Sequence, residues 1–287
     1  MRADTVLQVP DPDRVAADVA RALAEDIGSG DVTADLLPDV AANAYVLCKQ
    51  AARIAGRPWF DAVFHALDGN ASISWQVDEG APVPAGTVLC RLHGRSRALL
   101  SGERTALNFL QTLSATATVT AAFVDAVRGT ATRILDTRKT LPGLRMAQKY
   151  AVRVGGGDNH RLGLHDAMML KENHILAAGS IAAAVQRACA LHPGVPLIVE
   201  VETLAELDQA LDTQPERILV DEFSMDDLRE AVRRAAGRTP LEVSGGVGIE
   251  RVRELAQTGV DCISIGALTK NVQAVDLSMR FGLPPAG

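Results

Sequence analysis

The stretch Pro196-Leu197-Ile198-Val199-Glu200-Val201-Glu202 decides the fold. Its near-continuous apolar run suits a strand of a parallel sheet that is covered on both faces. Glu200 and Glu202 share one face of it, because side chains alternate along a strand. The same design recurs outward in both directions. A strand predicted over 131–137 ends in Asp136-Thr137-Arg138-Lys139, and one over 166–170 runs into Lys171-Glu172-Asn173-His174. Strands over 217–220, 241–244 and 262–265 end in Asp221-Glu222, Ser244-Gly245-Gly246 and Gly266-Ala267. Helices are predicted near 181–191, 204–211, 225–236 and 249–258. A strand returning roughly every 20–30 residues with a helix between is the period of a βα unit. Period alone fits both a doubly wound sheet and an α/β barrel. The strand ends decide for the barrel, whose C-terminal rim carries the chemistry strand by strand. A doubly wound sheet gathers its ligand at one switch point.

The first part of the chain has a different texture. Residues 13–25 predict an amphipathic helix with Val15, Val19, Ala22 and Leu23 on one face. A turn-rich stretch, Asp26-Ile27-Gly28-Ser29-Gly30, follows it. Short strands are expected at 45–48, 72–77 and 87–92, and one or two Ala/Thr/Leu-rich helices over 101–128. The 287 residues suffice for two domains. With 47% hydrophobic but only 3% aromatic residues, the core must rest on Ala, Val, Leu and Ile. A net charge of −6 speaks against broad nucleic-acid binding. Cys48, Cys90, Cys189 and Cys262 lie far apart in apolar stretches and read as buried free thiols of a reducing compartment. The charged N-terminus suggests no signal peptide, and no apolar run of about 18 residues suggests a membrane span. The expected location is cytoplasmic.

Against the acidic background, cations cluster around the predicted rim. The segment from Lys149 to Arg161 couples Gly155-Gly156-Gly157 to Asp158-Asn159-His160-Arg161 and lies between Arg138-Lys139 and Lys171. Glycines let a backbone approach a ligand and expose amide donors. Arg matches carboxylates and phosphates in a bidentate way. Glu202 and Asp221 stand at adjacent strand ends, where carboxylates beside a phosphorylated ligand suit Mg²⁺. His160, His165 and His174 lack zinc spacing. The residues therefore point to a barrel that binds a highly anionic, phosphorylated substrate with magnesium.

These segments resemble a known family. DTRKTLPGLR from Asp136, KYAVRVGGGDNHRLGL from Lys149 and LKENH from Leu170 are similar to the quinolinate phosphoribosyltransferases. So are EDIGSGDVT, SGERTALNFLQ, VEVE, SGGV and SIGALT, in the family's order. The resemblance covers nearly the whole chain. It implies an N-terminal α/β sandwich over 1–115, to which a tail over 274–287 returns, and an incomplete α/β barrel over 116–273. It implies transfer of a phosphoribosyl group from phosphoribosyl pyrophosphate to quinolinate with decarboxylation, in NAD biosynthesis. It also implies a homodimer in which Arg104 reaches across to the partner's site. Arg138, Lys139, His160, Arg161 and Lys171, with Thr137, would hold quinolinate and the ribose-phosphates. Glu202 and Asp221 would serve the magnesium–pyrophosphate–ribose end, and Ser244, Gly245, Gly246 and Gly266 would cradle the 5′-phosphate. Lys139, Lys171, Glu202 and Asp221 are the expected catalytic groups.

Two positions depart from the family's pattern: Lys270 stands where it usually has His, and Leu141 where Thr is frequent. Three other readings compete. Lys171 at a strand end could form a Schiff base in an aldolase. The chain could bind a phosphorylated ligand without catalysis. Paralogues linked to molybdenum transport share the fold, although Arg104, Arg138 and Arg161 together favour the quinolinate enzyme.

Overall fold

The computed structural model describes residues 10–282. Helix α1, Pro12–Ile27, starts where the Asp11 side chain accepts the Asp13 amide and Pro12 presets the first turn. It stops at Gly28, whose φ of 55° suits a residue without Cβ. Strands β1 (Ala41–Cys48) and β2 (Ala52–Arg53), helix α2 (Arg57–Leu67), strands β3 (Ser72–Trp75), β4 (Pro82–Val83) and β5 (Thr87–Arg95), and helix α3 (Ser96–Ala126) follow. The second part runs β6 (Arg133–Leu135), α4 (Arg145–Val154), β7 (Met168–Leu170), α5 (Glu172–Ala178), α6 (Ile181–Leu191) and β8 (Leu197–Val201). It continues α7 (Leu204–Thr213), β9 (Arg217–Val220), α8 (Met225–Ala235), β10 (Leu241–Val243), α9 (Ile249–Gln257), β11 (Cys262–Ser264), α10 (Ala267–Lys270) and β12 (Leu277–Phe281).

The chain forms two units. The first gathers 10–119, 141–156 and 271–282, and the second gathers 120–140 and 157–270. In the first unit an antiparallel sheet runs in the order β12-β1-β5-β3. Its core contains Trp59, Phe60 and Phe64 of α2 with Val15 and Val19 of α1. Ala22 and Leu23 pack against this core half-buried, so the predicted face of α1 is the one that packs. The few aromatic residues are concentrated here, with Phe60 edge-on to both Phe64 and Trp75.

Helix α3 is one helix. It is long and apolar enough to cross a membrane, which the sequence reading did not anticipate. Leu99, Leu107, Leu110 and Leu113 are nevertheless buried in the first unit's core, as in a core helix of a globular protein. A second correction concerns Cys189. It is exposed on α6, whereas Cys48, Cys90 and Cys262 are buried.

The second unit is a parallel sheet in the order β6-β11-β10-β9-β8-β7. From β7 onward successive strands are neighbours, and the last strand of the unit pairs with its first, β6. That order has no switch point and belongs to a barrel. Asp158 adds a one-residue parallel bridge to Leu135 on the free side of β6. Among the described residues no pairing joins that bridge to β7, so the barrel is incomplete.

Register divides the strands into two faces. Ile134, Ile263, Val243, Val220 and Val201 align in one row and are all buried. The next row is Arg133, Cys262, Glu242, Leu219 and Glu200. Alternation thus puts hydrocarbon on one face and ionisable groups on the other, the division expected when helices cover one side and a site occupies the other.

Candidate active site

The rim loops bring the predicted residues together in neighbouring pairs. After β6, the Thr137 hydroxyl accepts the Lys139 amide at 3.0 Å, and Thr269 of α10 donates to the Lys139 carbonyl at 2.7 Å. The Lys139 side chain lies over Gly266. A Cβ there would stand 3.0 Å from Lys139 Cδ and 3.5 Å from Thr137 Oγ1. Gly266 therefore serves close approach. A short helix beginning after the last strand is also the usual position of a barrel phosphate site. Gly245 and Gly246 have φ of 94° and 51°, and a Cβ on Gly245 would stand 3.5 Å from Asp221 Oδ1. Ser244 is half-buried beside them.

Asp136 is fully buried and organises the loop that carries His160 and Arg161. Its carboxylate accepts the His160 amide at 2.8 Å and the Asn159 side-chain amide at 2.6 Å. The Arg161 amide donates to His160 Nδ1 at 2.7 Å. The Arg161 guanidinium donates to the Ala167 carbonyl and reaches Met169 Sδ at 3.8 Å, on the strand that leads to Lys171. Burial, and then the charge of Arg138, pulls the Arg161 pKa below the ordinary guanidinium value, with Asp166 opposing. A partly desolvated guanidinium with another cation in its field suits an anionic ligand.

The other half of the rim is acidic. Lys171 Nζ donates to Glu200 Oε2 at 2.6 Å, and the Glu202 amide donates to Glu206 Oε2 at 2.8 Å. Partial desolvation, then the charges of Glu172, Glu206, Asp221 and Glu200, lift the Glu202 carboxyl above its ordinary range. A cavity of about 350 Å³ is lined by Glu172, Glu200, Glu202 and Glu206 with Ile175 and Leu176. Among the described residues no three ligand side chains converge on a metal position. The acids instead form a negative rim, which a cation carried by a phosphorylated ligand would relieve with one or two protein carboxylates.

Not every expectation holds locally. Residues 149–154 belong to α4, a helix that the sequence pattern does not mark. Gly155 caps that helix in right-handed geometry, and only Gly156, at φ 89°, needs glycine's freedom. Lys171-Glu172-Asn173-His174 opens α5 instead of merely ending a strand, and His174 Nδ1 accepts the Lys171 amide. Arg104 is exposed on α3 of the first unit, and Lys270 is exposed at the end of α10.

Sequence reasoning missed Glu242 and Arg217. Glu242 is fully buried, with Oε2 at 2.7 Å from Arg217 Nη1 and 3.4 Å from His160 Nε2. The available signal was a carboxylate between two apolar residues of a predicted strand, which alternation turns to the ionisable face.

Cations and carboxylates from successive strand ends thus gather at the rim of an incomplete α/β barrel. Residues 116–280 match the C-terminal domain of quinolinate phosphoribosyl transferase, and residues 31–114 match its N-terminal domain. The chain belongs to this family. A nicotinate-nucleotide pyrophosphorylase (carboxylating) of Mycobacterium leprae is 47% identical over 222 residues, covering 76% of this chain and 78% of that protein. A probable enzyme of the same name from Synechocystis is 44% identical over 90% of both chains. The structure of the nicotinate-nucleotide pyrophosphorylase from Francisella tularensis superposes with a TM-score of 0.93 at 44% identity, covering 98% of this chain and 100% of that one.

Proposed function

We propose that this chain transfers the phosphoribosyl group of phosphoribosyl pyrophosphate to quinolinate. The products are nicotinate mononucleotide, CO₂ and pyrophosphate, in de novo NAD biosynthesis. Family membership supports this reading, and the observation that carries it in the structure is the set of cations at the strand ends, with Lys139 over Gly266 and Lys171 held by Glu200 beside the acidic cavity. Quinolinate is a dianion and its co-substrate a polyanion, so both need cations placed before they arrive.

The pyridine nitrogen attacks the anomeric carbon, the bond from that carbon to pyrophosphate oxygen breaks, and the nitrogen becomes cationic. The 2-carboxylate then leaves as CO₂. The ring accepts the electron pair, and a proton replaces the carboxylate. Arg138 and Arg161 hold the carboxylates. Lys139 over Gly266, with Thr137, Ser244, Gly245 and Gly246, holds phosphate oxygens. Lys171, kept in place by Glu200, faces the reacting end. Glu202 and Asp221 stabilise the positive charge that builds on the ribose and would hold Mg²⁺ together with substrate oxygens. That ion would neutralise the leaving pyrophosphate. Arg104 is proposed to complete the site of a partner protomer in a homodimer, and the protein to act in the cytoplasm.

An aldolase is disfavoured because Lys171 is ion-paired and half-exposed, not sequestered in the apolar pocket a Schiff-base lysine uses. The test is to incubate purified protein with carboxyl-labelled quinolinate, phosphoribosyl pyrophosphate and Mg²⁺. Labelled CO₂ and pyrophosphate should appear in equal amounts, with no turnover of nicotinate. Pyrophosphate release from nicotinate and none from quinolinate would overturn the assignment.

A further inference from the structure

A carboxylate at the centre of a barrel strand is expensive to bury and is kept only when paired. Glu242 on β10 has no exposure at all. Its neighbours in register are Cys262 on β11 and Leu219 on β9, so the strands beside it supply no charge at its own level. Charge comes from Arg217, two residues before Leu219 on the same face of β9, and a second contact comes from His160 outside the sheet. Burial alone would raise the carboxyl, but His160 and Arg217, both at Oε2, outweigh it and hold it below the ordinary range, while Oε1 has no hydrogen-bond partner among the described residues. An ionised Glu242 therefore offers His160 an acceptor.

The consequence lies in the imidazole. His160 is itself buried, and its two nitrogens have different neighbours. Nδ1 stands 2.7 Å from the Arg161 amide, which can only donate. Nε2 faces the Glu242 carboxylate, which can only accept. One neutral tautomer satisfies both contacts, with the ring proton on Nε2. The opposite tautomer would set two N–H groups against each other at Nδ1 and leave a bare nitrogen against a carboxylate at Nε2.

We propose that Glu242 is a positioning residue that acts through His160. By accepting the Nε2 proton it keeps Nδ1 open to the Arg161 amide, and so fixes the backbone from which Arg161 presents its guanidinium to a dicarboxylate. Asp136 holds the same loop from the His160 amide, and the two carboxylates divide the task. Asp136 sets the loop's position, and Glu242 sets the ring's proton. Arg217 is the counter-charge that permits Glu242 to stay ionised in the barrel. This role rests on the proposed quinolinate reaction only for the identity of the ligand.

The ¹⁵N chemical shifts of the His160 ring, assigned by difference from His160→Gln, report the tautomer without turnover. The wild-type protein should show a bare Nδ1 and a protonated Nε2; the reverse would overturn the proposal. Glu242→Leu combined with Arg217→Met removes both charges together, so neither is left unpaired. This variant should lose the single tautomer. It should bind quinolinate about 10- to 100-fold more weakly by calorimetry, the usual range for groups that orient a functional histidine. Its kcat at saturating substrate should fall by no more than about threefold, because bound ligand is already aligned. A folded double variant with the wild-type tautomer and affinity would show that the pair serves stability alone. Should it not fold, Glu242→Gln retains an acceptor, and affinity within about threefold of wild type is expected. A tenfold loss with an unchanged tautomer would overturn the mechanism. If wild-type protein fails to bind quinolinate at all, the proposed function fails, while the tautomer measurement still tests Glu242.

Discussion

The two units differ in what dominates their interiors, although the first also buries Lys149 and Asp68 and the second much hydrocarbon. Helix α2 of the first unit sinks Trp59, Phe60, Val63 and Phe64 into hydrocarbon. The barrel buries Asp136, His160 and Glu242 beneath its rim. Aromatic packing is stable in itself, because rings bury large apolar areas and meet edge-on. Buried charge stabilises only when every member is paired, and it otherwise costs free energy. The first unit therefore resembles a scaffold and the second a machine held under electrostatic tension.

The largest effect should come from breaking the scaffold. Phe60→Ala removes a ring with no exposure that touches Phe64 and Trp75 at centroid distances of 5.1 and 5.2 Å. It should cost about 3–5 kcal/mol in denaturant unfolding. Turnover measured well below the melting temperature should change little.

Arg161→Ala should do the reverse. It removes a partly desolvated cation together with its hydrogen bond to the Ala167 carbonyl, two changes that offset each other, so unliganded stability should change little. Quinolinate binding should weaken by about 1.5–3 kcal/mol, the value of a charge-assisted hydrogen bond. Calorimetry and thermal melts on one sample read both quantities. A parallel loss of stability and affinity would erase the contrast between the two units.

The smallest effect concerns charge on the outer surface. Glu230 on α8 is held at about 2 by its hydrogen bonds to Arg233 and Arg234, against an ordinary 4.5. The folded pKa is depressed, so its contribution is present above the ordinary value and fades as pH falls from 4.5 toward 2. Glu230→Gln should lower stability slightly at pH 6, and the difference from wild type should vanish near pH 2. Because these ion pairs lie at the protein surface, added salt should also shrink the difference. A difference indifferent to salt would mean that surface charge here behaves like the buried kind.

Much of the barrel was legible before any coordinates. Strands over Leu197–Val201 and Arg217–Val220 fall where the sequence placed them, and α6 spans Ile181–Leu191 as read. Each is a local signal, an apolar run or a helical period, and such signals survive without tertiary context. Helix α4 was not predicted, because Gly155-Gly156-Gly157 dominated the reading of this segment. The preceding Ala147, Gln148, Ala151 and Val152 form a buried helical face that only packing completes. Helix α5 buries no residue, so it offered no period to find. Among the candidate site residues, the rim positions were visible because strand ends are set by local turn chemistry. Glu242 was hidden because its importance depends on what it faces.

The sequence by itself determined the alternation of strands and helices, the sign of the charge at each strand end and the family. All three are properties of neighbours along the chain. The tertiary structure decided which distant groups meet: Lys139 with Gly266, and Glu242 with both Arg217 and His160. Those meetings depend on strand register and barrel curvature, which arise from the packing of many side chains at once.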